Sequence, residues 1–267
     1  LVNAGIYVLS PRILTHIPPD RASDFGLEVF PATLKAGERL DAYRTTEYVK
    51  DVGTPTRYDE VLADVLAGKP ARWRRGQKRR TVFLDRDGVI NKEVDLLHRL
   101  EDLEVLPGVA AAIRRLNQAG FLSVVVTNQP VVARGLCTEA ELAMIHRKLE
   151  TLLGHEGAYL DGIYYCPHHP GHDAADAEAE SRRDCPCRKP KPGMIQQAVG
   201  ELPIDLEASY LIGDRSVDIQ TGINAGLTTI LLRTGYAGAD GTFACKPDLI
   251  FSHLAEAVGF LVANLER

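Results

Sequence analysis

This chain of 267 residues lacks the sequence features of a membrane or secreted protein. No stretch approaches the about 18 consecutive apolar residues of a transmembrane helix. The N-terminus lacks the charged start and cleavage site of a signal peptide, and it also lacks an initiator Met, so we expect a piece of a longer protein or a processed product. Five cysteines are an odd number and too few for a disulfide scaffold of this length. We therefore expect a reduced, cytoplasmic protein.

An excess of basic charge is also missing, since 36 acidic residues outweigh 31 basic ones and the pI is near 5.9. Neither nucleic acid nor a membrane surface is therefore an expected partner. One basic stretch stands out, because six of the nine residues from 72 to 80 are Arg or Lys. No platform of aromatic side chains accompanies it, so we interpret residues 71–80 as a solvated linker rather than a nucleic-acid patch.

After this linker, short apolar runs alternate with amphipathic stretches. The apolar runs predict strands at 82–84, 122–126, 162–165, 209–212 and 228–232, and the amphipathic stretches predict helices at 109–119, 139–153, 193–202 and 218–225. Continuous apolar strands between helices are typical of a parallel sheet covered on both faces. We predict a Rossmann-like α/β domain over residues 81–267, with residues 1–70 as a separate segment.

Polar residues follow three of the predicted strands at the point where each strand ends. Asp85, Thr127 and Asp214 all hold this position. Ligands bind beyond the carboxyl ends of parallel strands, so we expect these three side chains around one crevice.

Two carboxylates, Asp85 and Asp87, leave the first strand one residue apart, and Gly88 allows a tight turn there. A carboxylate can attack phosphorus to form an aspartyl phosphate, and a second one can protonate the leaving alkoxide and then activate water. In isolation the segment could equally be a polar turn. The other strand ends favour the catalytic interpretation.

The remaining groups that phosphoryl transfer needs are found further along the chain. Thr127 and Asn128 offer a hydroxyl and an amide to phosphate oxygens, and Lys189 offers a fixed positive charge. Asp85, the Asp87 backbone carbonyl and Asp214 would form an oxygen-rich site suited to Mg²⁺. This cation would relieve the repulsion between the carboxylates and a phosphate dianion.

Taken in order, these segments resemble the haloacid dehalogenase superfamily over roughly residues 79–262. The motifs are Asp85-x-Asp87-Gly, Thr127-Asn128, Lys189 and Gly213-Asp214-x-x-x-Asp218. With Arg86 and Asn91 included, the segment resembles the branch that contains the heptose bisphosphate phosphatases and the histidinol-phosphate phosphatases.

The resemblance implies that Asp85 is the nucleophile, Asp87 the acid/base, and Thr127 and Lys189 the groups that stabilise the phosphoryl group. It implies a Mg²⁺-dependent phosphomonoesterase that removes the 7-phosphate of a heptose 1,7-bisphosphate, in the synthesis of a nucleotide-activated heptose. Histidinol phosphate or another sugar phosphate is the alternative substrate, and a degenerate scaffold domain the alternative function. The candidate substrate-binding residues are Arg86, Asn128, Gln129, Arg134, Arg188 and Arg215.

Three cysteines and a histidine form a second candidate metal site. Cys166, His168, Cys185 and Cys187 supply the ligand set of a closed tetrahedral Zn²⁺ site, although the spacing alone does not decide the matter. His169 and His172 are alternatives that rank below His168. The resembled branch carries a structural zinc loop here, which implies that Zn²⁺ holds the polar segment 169–184 at its base.

Two segments depart from the pattern of the family. Val94-Asp95-Leu96-Leu97 stands where His-Gly-Tyr-Val is common, and Pro130-Val131-Val132 stands where Ser-Gly-Ile is usual. Both departures fall where the rest of the substrate would lie. They bear on the identity of the substrate more than on the reaction.

The first seventy residues look like the C-terminal portion of a sugar-1-phosphate nucleotidyltransferase. The resemblance rests on Asn3–Ser10 and on Tyr48–Pro55, where Asp51 matches a metal-binding aspartate of that family. The Gly-rich nucleotide loop is absent, so we expect no transferase activity from this chain. The segment is then either an appended α/β fragment or the trace of a nucleotidyltransferase partner or fused domain.

Overall fold

A computed structural model describes residues 4–43, 45, 47–74, 76–170 and 185–265. The chain divides into two units, Leu1–Arg74 and Arg75–Arg267. The stretch predicted as a linker is partly structured, because a short helix covers Lys69–Arg72 and the first strand of the second unit already begins at Arg79.

The N-terminal unit is built from short helices. A 3-10 helix spans Pro11–His16, a wider helical turn spans Phe25–Val29, and α1 (Phe30–Lys35), α2 (Pro55–Leu66) and α3 (Lys69–Arg72) follow. Its packing centres on the rings of Tyr7, Phe25 and Phe30, whose centroids lie 4.9–6.0 Å apart.

The α/β character expected for this segment is not observed in its described residues. None of them lies in a strand, and only Val29 and Thr33 are fully buried. With so few apolar side chains buried, the described part of this unit has no second layer on which a sheet could pack.

The C-terminal unit contains a six-stranded parallel sheet, which confirms the predicted fold class. The strands are β1 (Arg79–Leu84), β2 (Leu122–Asn128), β3 (Gly162–Cys166), β4 (Ile204–Gly213), β5 (Thr228–Leu232) and β6 (Leu249–Phe251), in the order β3-β2-β1-β4-β5-β6. The helices are α4 (Val109–Ala119), α5 (Glu139–His155), α6 (Gly193–Glu201), α7 (Ser216–Ala225) and α8 (Leu254–Ala263).

All five predicted strands and four predicted helices are present, with ends that shift by a few residues. The sequence interpretation missed β6 and α8. A strand of three residues shows no periodicity, and α8 (Leu-Ala-Glu-Ala-Val-Gly-Phe-Leu-Val-Ala) is apolar nearly all round, so neither has an amphipathic pattern. Within the described ranges, no helix has the length and apolar character needed to cross a membrane.

The sheet is buried on both faces, which explains its unbroken apolar strands. Val82 and Leu84 of β1 face one core, which includes Ile113 of α4 and Val258 of α8. Phe83, between them, faces the other core, against α6. Successive side chains at the end of β1 therefore point to opposite faces of the sheet.

The strand order places the functional strand ends side by side. β1 lies between β2 and β4, all three run parallel, and the chain changes direction across the sheet at the β1–β4 pair. Such a switch point leaves a crevice beyond the carboxyl ends of the strands. Asp85, Thr127 and Asp214 lie at this edge.

Candidate active site

Asp85 is held by the sheet and by a buried lysine. Its backbone N–H donates to the Ile212 carbonyl at 3.0 Å, which continues the β1–β4 ladder. Its Oδ1 accepts from the Arg86 backbone N–H at 2.7 Å and lies 3.0 Å from Lys189 Nζ. These contacts fix the carboxylate of the predicted nucleophile at the carboxyl end of β1.

Lys189 lies between two carboxylates and is only 3% exposed. Its Nζ lies 2.6 Å from Asp218 Oδ1, 3.0 Å from Asp85 Oδ1 and 3.1 Å from the Val126 carbonyl. Burial alone would lower the pKa of Lys189, but Asp218 and Asp85 outweigh it and hold the pKa above its ordinary value. The ammonium group is therefore a permanent positive charge in the site.

Asn128 holds the backbone of Lys189 from both sides. Its Oδ1 accepts from the Lys189 N–H at 3.0 Å, and its Nδ2 donates to the Lys189 carbonyl at 3.2 Å. Both ends of the Asn128 amide are thus engaged with the lysine loop, which gives Asn128 a structural role, and its contact with substrate stays a prediction.

Three aspartates lie close enough to hold a cation. One carboxylate oxygen each from Asp85, Asp214 and Asp218 lies within 4.8 Å of the others. Asp214 Oδ2 accepts from the Tyr236 N–H at 2.7 Å, whereas the buried Asp214 Oδ1 has no hydrogen-bond partner. Burial and the neighbouring Asp85 and Asp218 raise the pKa of Asp214 to about 8. An orphaned carboxylate oxygen in this environment fits a divalent cation.

Two glycines make room for the Asp214 carboxylate. Gly88 has φ +76° and Gly235 has φ +53°, and a Cβ at either position would collide with the Asp214 carboxyl group. Gly88 was predicted from the turn after β1. Gly235 gave no signal in the sequence, because its contact with Asp214 arises only in the folded chain.

Three side chains donate hydrogen bonds to the Asp87 carboxylate. Arg86 reaches it through Nε (3.1 Å) and Nη2 (3.0 and 2.9 Å), Asn91 Nδ2 donates at 2.8 Å, and Gln129 Nε2 donates at 2.9 Å. Burial opposes ionisation of Asp87, but Arg86, Asn91 and Gln129 outweigh it, and the pKa of Asp87 lies below its usual range. The predicted acid/base is therefore held in one orientation.

This arrangement corrects the predicted substrate contacts of Arg86 and Gln129. The Arg86 side chain is 0% exposed, and its guanidinium donates to Asp87 and to Gln129 Oε1 at 2.9 Å. Gln129 is buried and also donates to Thr127 Oγ1 at 3.0 Å. Both residues are buried and bond to the side chains of other predicted site residues, Asp87 for both and Thr127 for Gln129.

The other three predicted substrate-binding arginines are accessible. Arg134 is exposed, and Arg188 is half-buried with Nη1 donating to the His168 carbonyl at 2.9 Å. The guanidinium carbon of Arg215 lies 4.2 Å from the centroid of the Tyr236 ring. The backbone N–H of Tyr236 holds Asp214, so Arg215 lies beside the aspartates.

A cleft of about 330 Å³ opens next to these aspartates. It is lined by Gly88, Lys92, Glu93, Leu106, Gly235 and Tyr236. Burial and the nearby Asp87 raise the pKa of Glu93 to about 6. The Tyr236 hydroxyl donates to Asp95 Oδ1 at 3.2 Å across the rim, and Asp95 has φ +69°.

The two departures from the family pattern pack together. Leu96 from the first and Val131 and Val132 from the second belong to one small apolar cluster with Cys137, Leu142 and Tyr165. The apolar side chains at these two departures therefore pack in a shared cluster in this fold.

The second predicted metal site is also assembled. The Sγ atoms of Cys166, Cys185 and Cys187 lie 2.9–3.2 Å apart, and His168 Nδ1 lies 3.7 Å from Cys166 Sγ and 3.4 Å from Cys187 Sγ. Three sulfurs and one ring nitrogen at this proximity fit tetrahedral zinc. The alternative ligand His172 lies outside the described residues.

Asp218 is a site residue that the ligand assignment from the sequence left out. Its Oδ1 pairs with Lys189 and its Oδ2 accepts from the Arg215 N–H at 3.1 Å. Its place in Gly213-Asp214-x-x-x-Asp218 was visible in the sequence, but its pairing with a lysine 29 residues earlier was not.

Comparisons with known proteins show which family the chain is similar to. Residues 186–257 match a family model described as HAD-hydrolase-like. The D-glycero-beta-D-manno-heptose-1,7-bisphosphate 7-phosphatase of Haemophilus ducreyi is 39% identical over 186 residues, which are 68% of this chain and 98% of that protein. The enzyme of the same name from Escherichia coli K12 is 44% identical over 155 residues, 58% of this chain and 79% of that protein.

A solved structure shows the same relationship. The crystal structure of D,D-heptose 1,7-bisphosphate phosphatase from B. bronchiseptica, complexed with magnesium and phosphate, matches 69% of this chain and 99% of that chain with a TM-score of 0.60 and 33% identity. The chain belongs to the haloacid dehalogenase-like phosphatases, in the family that contains the heptose-1,7-bisphosphate 7-phosphatases.

Proposed function

We propose that the protein is a Mg²⁺-dependent phosphomonoesterase that hydrolyses the 7-phosphate of a heptose 1,7-bisphosphate. The observation that carries the proposal is the position of Asp85, which lies 3.0 Å from the buried Lys189 and within 4.8 Å of the Asp214 carboxylate. The names of the relatives and of the similar solved structure support the substrate.

The reaction proceeds in two steps. In the first, an Asp85 oxygen attacks phosphorus, the bond from phosphorus to the ester oxygen breaks, and Asp87 gives its proton to that oxygen. In the second, water attacks the phosphorus of the aspartyl phosphate while Asp87 takes a proton from it, which releases phosphate and restores Asp85. The bound phosphate dianion raises the proton affinity of Asp87 for the first step, and the proton that Asp87 gives to the leaving oxygen leaves its carboxylate ionised and able to accept a proton from water in the second.

Neighbouring side chains stabilise the charge that moves in these steps. Lys189 compensates the charge of Asp85 and of the phosphoryl oxygens, Thr127 holds the phosphoryl group, and Asn128 fixes the backbone of Lys189. When bound, Mg²⁺ would be held by Asp85, the Asp87 backbone carbonyl and Asp214, and would neutralise the phosphate against the carboxylates.

We assign a structural zinc to Cys166, His168, Cys185 and Cys187. This site would tie the end of β3 to the segment that carries Arg188 and Lys189, which follow Cys187 directly. Arg188, together with Arg134 and Arg215, is the accessible positive charge for the rest of the phosphorylated sugar.

We also infer that residues 1–70 correspond to part of a sugar-1-phosphate nucleotidyltransferase. The sequence resemblance at Asn3–Ser10 and Tyr48–Pro55 supports this inference. A phosphatase next to such a segment would act in the synthesis of a nucleotide-activated heptose. Because the Gly-rich nucleotide loop is absent from this chain, the full chain incubated with a nucleoside triphosphate and a heptose 1-phosphate should release no pyrophosphate. Release would contradict the expectation that this segment has no transferase activity.

Phosphate release from a panel of esters tests the function. The panel contains both anomers of heptose 1,7-bisphosphate, heptose 7-phosphate and histidinol phosphate, each with wild type and Asp85→Asn. We expect one heptose bisphosphate to be preferred and Asp85→Asn to be inactive on all of them. Equal rates across the panel would refute the heptose assignment, and an inert wild type would favour a scaffold domain.

A further inference from the structure

The Arg86 side chain that grips Asp87 is itself held by a histidine from a distant part of the chain. His146 lies in α5, is buried, and its Nε2 is 3.2 Å from Arg86 Nη1. A guanidinium only donates, so His146 Nε2 accepts and the ring proton lies on Nδ1. Burial, with help from the Arg86 charge, lowers the pKa of His146 to about 3, which agrees with a neutral ring.

The contact with His146 uses Nη1, the guanidinium nitrogen of Arg86 that does not donate to Asp87. Nε and Nη2 of the guanidinium donate to Asp87, and Nη2 also donates to Gln129. Nη1 donates to His146. Because the guanidinium is planar and rigid, holding Nη1 fixes the direction in which Nε and Nη2 present their hydrogens to Asp87.

The position of His146 is determined by elements outside the phosphate-binding edge. α5 begins at a capping box formed by Thr138 and Glu141. The His146 ring packs against the Tyr165 ring of β3 with a centroid distance of 5.3 Å and an interplanar angle of 58°. His146 is thus a rigid support that does not itself lie among the groups expected to bind phosphate.

We propose that His146 is a positioning residue for the acid/base step of the reaction. Through Arg86 it holds the Asp87 carboxylate in the orientation that protonates the leaving oxygen. The proposal rests on the phosphatase function proposed above. Loss of the His146 acceptor would leave Arg86 Nη1 buried without this partner and would let the guanidinium rotate away from Asp87.

The experiment compares two phosphate esters that differ in their need for a proton. A sugar phosphate leaves as an alkoxide that must be protonated, whereas p-nitrophenyl phosphate leaves as a stable phenolate. The readout is kcat/KM, which reports phosphoryl transfer to Asp85 and is independent of the later hydrolysis. Wild type, His146→Leu and His146→Gln are measured with both esters.

We expect His146→Leu to lower kcat/KM for the sugar phosphate by roughly tenfold to a hundredfold, since general acid catalysis contributes about 10²–10⁴-fold and is only partly lost. The p-nitrophenyl ester should change by less than about threefold. His146→Gln, whose amide oxygen can accept from Arg86, should recover most of the rate. The exposed His155→Leu in the same helix is the matched control and should behave as wild type with both esters.

Each remaining outcome is decisive. Equal losses on the two esters, with or without a change in thermal unfolding, would mean that His146 shapes the site as a whole and would overturn the proposal. No loss on the sugar phosphate would also overturn it. An inert wild type would refute the proposed function itself, which is a result distinct from either of these.

Discussion

Replacing Lys189 by methionine should destabilise the protein and abolish its activity together. The substitution keeps an unbranched apolar stem and removes the ammonium group whose Nζ lies 2.6 Å from Asp218 Oδ1 and 3.0 Å from Asp85 Oδ1. Asp218 is fully buried and Asp85 is 7% exposed, so water replaces the lost partner only poorly. Two like charges, Asp85 after β1 and Asp218 in the first turn of α7, would then face each other without the ammonium group between them.

The expected loss of stability follows from this burial. Removing one partner of a buried ion pair costs about 3–5 kcal/mol, because the remaining charge stays in a poorly solvated environment. Protonation of one carboxylate relieves part of this loss, so we expect about 3 kcal/mol at pH 7. Loss of a positive charge aimed at the phosphoryl group should lower kcat/KM by about 10²–10³-fold or more.

Urea unfolding at pH 7 without Mg²⁺ and phosphate release with Mg²⁺ measure the two effects. Lys246→Met, in an exposed loop, is the matched control and should stay within about 0.5 kcal/mol of wild type. The Lys189→Met/Asp218→Asn double variant should be more stable than the sum of the single changes by at least about 1 kcal/mol, yet remain inactive. Additive changes, or an active Lys189→Met protein, would refute the reasoning.

Three further predictions concern acid stability and the two metal sites. The pKa of His146 is about 3 in the folded protein and about 6.5 in the unfolded chain, so the stability that the neutral ring contributes is complete above pH 6.5 and is lost as the pH falls. Between pH 7 and pH 5, the free energy of unfolding in urea should fall by about 2 kcal/mol more for wild type than for His146→Gln. Equal losses would refute this. Gly235→Ala should weaken Mg²⁺ binding about tenfold in a titration, because the new Cβ collides with Asp214; unchanged affinity would argue against an Asp214 ligand. Removing Mg²⁺ alone should stop turnover without altering the circular dichroism spectrum. Cys185→Ser should lower both the zinc content and the thermal stability. Unfolding on removal of Mg²⁺ would contradict the assignment of a catalytic role to Mg²⁺ and a structural role to Zn²⁺.

The sequence was sufficient for five of the six strands of the sheet and for the groups at its edge. Val82–Leu84 and Thr228–Leu232 are short, largely apolar runs typical of strands buried on both faces, and parallel strands bring Asp85, Thr127 and Asp214 to one edge. These inferences depend on local periodicity and on a general property of parallel sheets. They therefore needed no knowledge of the packing.

The support behind Asp87 could not be inferred in the same way. Arg86, between Asp85 and Asp87 in the sequence, was a candidate substrate-binding residue. The direction of its side chain depends on His146, which is 60 residues further along the chain and inside a helix. Contacts of this kind arise from tertiary packing, and no short motif encodes them.

The structure of the N-terminal unit also could not be inferred from its sequence, for a different reason. A resemblance to an α/β family was predicted from Asn3–Ser10 and Tyr48–Pro55, yet the described residues of this unit form no strand. A strand requires neighbouring strands and a layer to cover it, and a family pattern in two short segments supplies neither.

Chemical trapping at Asp85 during turnover tests the central claim most directly. If Asp85 is the nucleophile, acid quenching followed by borohydride reduction should convert it to homoserine, detectable by mass spectrometry in the peptide that contains residue 85, only when Mg²⁺ and the phosphate ester are both present. Conversion at another aspartate, or rapid phosphate release with no conversion at position 85, would contradict the account.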